Sequence, residues 1–279
     1  MKNVLKAEFF KLRKAKSTYI CLGILVAYSL FLVLMYLWIQ YFAESLFGGE
    51  SADIGMAGVI PQFTASGALS FFGTSNSFMI ATIMVCVIAA RFYAGENKSG
   101  VLRNSLTVGV SRTEVYAAKF IMTMILAAAA YLIMVVIHMV VFGISGGWGS
   151  VNPGVFLGYM ALQLLLFFSV AGLVFLLSIA LRNSGGTLGL TIGICYLFTF
   201  LSLIASIGDT LAMVDGGEVA PVFKVISELC MFFPPTLITR VSAMDLSPLR
   251  LVQAAAAGVV TLGASFGVGW LVFTRRDHK

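Results

Sequence analysis

Residues 155–181 read VFLGYMALQLLLFFSVAGLVFLLSIAL, a run without one charged side chain. An α-helix rises about 1.5 Å per residue, and roughly 20 apolar residues cover the roughly 30 Å hydrocarbon core of a bilayer. The run is long enough to cross that core, and it leaves no polar face for water. Five more runs of this kind occupy about 18–41, 71–93, 115–142, 187–207 and 251–273. None carries a charged side chain near its middle, as expected where a central Arg or Asp costs about 2.5–3.5 kcal/mol. The pattern predicts an all-α integral membrane protein with six transmembrane helices in one membrane domain.

Composition agrees. The chain of 279 residues is 59% hydrophobic and 11% charged, and its mean hydropathy is +0.99. Soluble domains are about 45–50% apolar and about 25% charged, so lipid has to cover most of this surface. The spans leave only loops and termini, with no room for a soluble catalytic domain. No cleavable signal peptide is evident, because the first apolar run is too long for one. Cys21, Cys86, Cys195 and Cys230 form no CxxC pair and read as packing residues.

Lysine and arginine set the orientation. Lys2, Lys6, Lys11, Arg13, Lys14 and Lys16 precede the first run, and Arg91, Lys98, Arg103, Arg112 and Lys119 surround the connection between the second and third. Arg182, Arg275, Arg276 and Lys279 fall on the same side, leaving only Lys224, Arg240 and Arg250 of the 18 basic residues on the other. The positive-inside rule places the richer side, and both termini, in the cytoplasm. The first 16 residues predict an interfacial helix, with Leu5, Phe9 and Leu12 on an apolar face and Phe10 breaking the pattern.

The outer connections are unequal. Residues 143–154 are short and Gly-rich, 48–70 contain Pro61, and 208–250 form the longest loop. Within the last, 219–238 are largely apolar yet hold Lys224, Glu228 and the pair Pro234 and Pro235. Such a segment is too broken to span. Two readings stand open: a re-entrant pair of half-helices, which needs protein around it at membrane depth, or an amphipathic surface helix.

The connection after the second run, about 94–114, is the most informative. Glu96 is followed by Gly100, Val101, Leu102, Arg103, Asn104 and Leu106, then by Gly109, Val110, Ser111, Arg112 and Lys119. Ser111 with Glu114 has capping-box spacing and predicts the start of the third span. Residues 101–108 have the length of a short helix lying along the membrane, which can dock into a partner's groove.

This arrangement resembles the permeases of type-2 ABC exporters, whose loop after span two reads E…G-[TV]-L-R-N…L…G-[VI]-S-R…K. The start of the chain, LKAEFFKLRK at 5–14, is also similar to theirs. Among them the chain is similar to the bacitracin and lantibiotic-immunity permeases. The resemblance implies that Glu96, Gly100, Leu102, Arg103, Asn104, Leu106, Ser111 and Arg112 couple this subunit to a separate ABC ATPase. That partner would hold ATP and magnesium. It further implies a second permease copy or a paralogue, with spans two and five along the path between them. Ser75, Asn76 and Ser77, and Thr191 and Thr199, would then lie near a pathway for an amphipathic cargo, such as an antimicrobial peptide or drug.

Other chemistry is not indicated. The nearest approach to a P-loop is Lys98 with Ser99, where Phe92 and Asn97 occupy the required glycine positions. The chain is therefore not expected to be an enzyme, and neither a cofactor, a metal nor a nucleic acid is expected on it. A secondary transporter or a non-transporting membrane protein is the rival reading; a proton-coupled carrier, however, should show mid-span carboxylates. His138, within the third run, is expected to make a structural hydrogen bond. Gly185, Gly189 and Gly193, and Gly263 and Gly267, have small-xxx-small spacing and are expected to serve helix packing inside the chain, with a dimer contact as the alternative.

Overall fold

The structure is a computed structural model that describes residues 2–47, 64–74, 77–98, 109–181, 183–215, 221–230, 232–244 and 246–275. Their regular structure is helical throughout. The elements are α1 (Lys2–Lys14), α2 (Lys16–Phe47), α3 (Ala68–Thr74) after a 3₁₀ turn at Ala65–Gly67, α4 (Ser77–Lys98), α5 (Arg112–Gly146) and α6 (Pro153–Leu181). They continue with α7 (Ser184–Asp215), α8 (Pro221–Cys230), α9 (Pro234–Ser242) and α10 (Pro248–Arg275).

Five helices are long and apolar enough to cross a membrane unaided: α2, α5, α6, α7 and α10. The second expected span is different. It is a bent pair, Ala65–Gly73 and Ser77–Tyr93, meeting at 65°. The sequence across the bend is GTSNS, from Gly73 to Ser77, and such residues compete for backbone hydrogen bonds and favour caps over helix interiors. The apolar count treated 71–93 as continuous because it weighs hydropathy and not these local preferences.

The long outer loop is also more structured than expected. α7 runs on to Asp215, and α8 and α9 form a hairpin of half-helices crossing at 98°. Pro234 and Pro235 explain the break. Neither has an N–H to continue α8, and both suit the first turn of α9, where that donor has no partner anyway. Thr236 secures the corner by donating to Phe233 O at 2.7 Å and to Cys230 O.

α6 is the central helix, packed against α4, α5, α7, α9 and α10. Its residues are apolar all round, which a helix buried on several sides requires. The main core gathers Leu25 of α2, Phe72 of α3, Phe78 of α4, Tyr131 of α5, Phe167 of α6 and Leu237 of α9. Phe72 stands edge-on to Tyr131 at 5.0 Å and to Phe167 at 5.9 Å, a favoured aromatic geometry.

Glycines also let α6 and α10 approach each other closely. A Cβ on Gly172 would lie 3.3 Å from Leu262 and Ser265, and one on Gly258 would lie 3.3 Å from Leu165. The glycines expected to do this work do not. Among the described residues, Gly189, Gly193, Gly263 and Gly267 have nothing within 4 Å of a Cβ position, and Gly185 meets only Asn183, at 3.7 Å. Small-xxx-small spacing identifies a smooth helix face but not what lies opposite it, so intrachain packing is corrected at these positions.

A second correction concerns His138. It is fully enclosed, and neither ring nitrogen has a hydrogen-bond partner among the described residues. The ring packs edge-on to Phe71 at 4.6 Å and stacks with Phe142 at 6.1 Å. It behaves as an aromatic core residue. The four cysteines are free and buried, in keeping with packing.

Candidate functional site

The helix that follows the motif loop starts as its residues dictate. Gly109 takes φ +91°, a conformation glycine reaches without Cβ strain. Ser111 has extended backbone and accepts a hydrogen bond from Glu114 N at 3.2 Å, so its hydroxyl satisfies one of the four orphan donors at the start of α5. Arg112 Nη1 donates to Thr274 O at 2.9 Å, placing a cation on the carbonyl end of α10. Trp270 Nε1 donates to Thr113 Oγ1 at 3.3 Å, and the Tyr116 hydroxyl donates to Phe266 O at 2.8 Å. Gly269 makes the last contact possible, because a Cβ there would fall 2.5 Å from the Tyr116 oxygen.

Behind these bonds lies an aromatic cluster. Tyr93 from α4, Val115, Tyr116 and Phe120 from α5, Phe175 and Ile179 from α6, and Phe273 from α10 are all buried together. The Phe273 ring lies 6.3 Å from Tyr93 and 5.7 Å from Tyr116. The two helices that flank the motif loop are thus anchored on the same end of α10.

α1 closes this end of the bundle. It packs on α5 through a stripe of Val4, Leu5, Glu8 and Leu12. Glu8 is 7% exposed and Lys119 6%. Glu8 Oε2 accepts from Lys119 Nζ at 3.2 Å, and Oε1 accepts from Lys11 Nζ at 2.9 Å. Phe9, expected on the apolar face, is 49% exposed beside Phe10 at 56%. Lys14 Nζ sits 4.8 Å from the Phe10 ring centre, a cation–π distance. The stripe facing α5 thus takes Val4, Leu5 and Leu12 together with Glu8, and Phe9 and Phe10 turn outward. The sequence offers one sign of this: Glu8 is the lone acid among the basic residues of the first 16.

The expected site residues divide. Ser111, Arg112 and Lys119 come together at this end, and Glu96 lies in the last turn of α4. Gly100, Leu102, Arg103, Asn104 and Leu106 lie outside the described residues, as does Asn76. Thr191 is buried at the seam of α4 and α7, accepting from Cys86 Sγ at 3.6 Å. A cavity of about 10 Å³ lined by Met79, Thr82, Thr191 and Cys195 adjoins it. Thr199 faces outward with its hydroxyl on Cys195 O at 2.9 Å.

The opposite end has a polar node that sequence reading missed. Gln163 of α6 is fully buried. Its Nε2 donates to Leu69 O at 3.2 Å and to Ser242 Oγ at 2.8 Å, while its Oε1 accepts from the Tyr131 hydroxyl at 2.9 Å. Ser242 Oγ donates in turn to Ile238 O at 2.6 Å. α3, α5, α6 and α9 therefore meet on one satisfied network. The only signal in the sequence was a lone glutamine in the uncharged run 155–181.

These features define a polytopic helical membrane protein with a braced loop end. Residues 4–202 match the family of ABC-2 family transporter proteins. That is most of the chain, and it belongs to this family. It is a transmembrane permease component of an ABC transporter, not itself a catalytic subunit, and an ABC ATPase partner is a general attribute of such permeases. The match covers α1 through most of α7, so the α8–α9 hairpin and α10 lie beyond it. No curated protein matches the chain.

Proposed function

We propose that this chain is the membrane half of an ABC exporter. A separate ATPase docks on residues 101–108, with Glu96, Arg103, Asn104 and Arg112 around the contact, and ATP with magnesium is bound there and not here. Closure of the ATPases pushes this loop, and α4 and α5 carry the push into the spans, giving alternating access. The observation that supports this reading is the shared anchorage of the two flanking helices: Tyr93 and Tyr116 both meet Phe273. A displacement between α4 and α5 cannot be absorbed locally without disturbing that cluster.

The end bearing α1, Arg112 and Arg275 collects the basic residues, so it is the cytoplasmic end of a cell-membrane protein. A second permease copy or a paralogue completes the pathway. The outward faces of α7 and α10 are available for it: Gly189, Gly193 and Gly263 are exposed, among apolar neighbours such as Leu197 and Val260. The cargo is amphipathic, an antimicrobial peptide or drug, which would make the protein a resistance determinant.

Purification from native membranes tests the first part, with an ABC ATPase expected to accompany the permease. Arg103→Ala with Arg112→Ala should weaken that association; an intact complex would remove the coupling role from these residues. In sealed vesicles, transport should need ATP. Transport driven by an ion gradient alone would overturn the reading.

A further inference from the structure

We propose that the Glu8–Lys119 ion pair makes α1 a positioning element for the motif loop, setting how far α4 and α5 stand apart; the inference rests on the coupling role proposed above. The pair is buried on both sides, and both carboxylate oxygens are engaged. Two apolar side chains of similar volume would hold a helix to its neighbour at least as well as a buried ion pair does, because the pair loses its hydration. What the pair adds is register. Its bonds fix one rotation and one height of α1 against α5, whereas apolar contact tolerates sliding.

The register is set close behind the loop. Lys119 lies about two helical turns from Ser111, roughly 12 Å along α5. Beneath the pair is a cavity of about 30 Å³ whose lining includes Glu8, Leu12, Phe92, Tyr93, Lys119 and Phe175. It thus has walls from α1, α4, α5 and α6, and α1 roofs the wedge between the two loop-flanking helices. The cavity leaves the apolar contact of α1 incomplete at this point, where Leu12 is its one apolar wall from α1, and the ion pair supplies the specific contact there. With α1 in register, motion at the loop shifts α4 and α5 together with their roof.

Two measurements on the permease–ATPase complex in lipid nanodiscs and proteoliposomes separate the possibilities. The first is tryptic cleavage within α1, at Lys6, Lys11, Arg13 and Lys14. Glu8→Gln takes the carboxylate charge away from Lys119 and Lys11, Lys119→Met takes the buried cation away from Glu8 Oε2, and each should raise the initial cleavage rate at least about tenfold. Cleavage at the rate of the unaltered protein would overturn the proposal. The second is transport per ATP hydrolysed. The apolar pair Glu8→Leu with Lys119→Met should keep α1 resistant to trypsin yet lower that ratio severalfold. A ratio equal to that of the unaltered protein would show that the pair serves docking alone, and would overturn the positioning role. Cleavage can be read on the permease without ATPase, so absence of ATP-driven transport in the unaltered complex would sink the coupling reading while the docking result still stands by itself.

Discussion

Gln163 Nε2 reaches Ser242 Oγ at 2.8 Å, tying the central helix to a hairpin 79 residues further along the chain. The bond matters because of where it lies. Between α7 and α10 the chain forms α8 and α9, and α9 must sit at a fixed height in the core before α10 begins. Apolar contact alone would allow α9 to slide, and a polar network with every donor and acceptor matched does not.

Replacing Gln163 with Leu should therefore cost stability despite raising hydropathy. Leu69 O loses a donor and the Tyr131 hydroxyl loses an acceptor. The expected loss is about 1–2 kcal/mol, at the upper end for interhelical hydrogen bonds in membranes. Thermal denaturation in detergent, followed by size-exclusion fluorescence, measures it. A midpoint equal to that of the unaltered protein would mean the node contributes nothing.

Gly73 lets α9 approach α3. A Cβ there would fall 1.6 Å from Ser242 Oγ and 2.9 Å from Ile238 O. Gly73→Ala should destabilise by about 1–3 kcal/mol, as overpacking does. Ser242→Gly removes the nearer obstacle at the cost of its bond to Gln163, so in that background Gly73→Ala should cost less than it does in the unaltered protein. The same melting assay decides; an equal cost of Gly73→Ala in both backgrounds would show that the clash lies with the backbone.

The glycines of α10 and α7 should part company. Gly269→Ala drives a Cβ against the Tyr116 oxygen, and Tyr116→Phe should relieve it, since the ring carbon behind lies 3.4 Å away. Gly189→Ile and Gly193→Ile meet open space among the described residues, so the monomer's melting should hold. If these glycines face a second permease, the same changes should shift the population from dimer to monomer in analytical ultracentrifugation. An unmoved dimer would take the stripe out of the interface.

His138→Phe should leave the melting midpoint unchanged or raise it. The imidazole is enclosed by Phe71 and Phe142 with no hydrogen-bond partner for either nitrogen among the described residues, and burying a polar group in that way is unfavourable. A clear drop in the midpoint would reveal that the ring nitrogens contribute to stability.

Apolar run length, by itself, established the membrane class and placed α2, α5, α6 and α10 within a few residues. Local chemistry did as well at the start of α5, where Ser111 caps as its spacing with Glu114 predicts. The motif around 96–119 identified the family that residues 4–202 match. These signals are read along the chain, each within a helix turn or a bilayer's thickness. The tertiary structure decided what faces what. In lipid, the packed and the exposed sides of a helix are both apolar, so periodicity no longer marks the inner face. That is why Gly172 and Gly258 form the close approach while Gly189 and Gly193 do not. It is also why Gln163, one polar residue in the run that fixed the fold class, proved to hold four helices together.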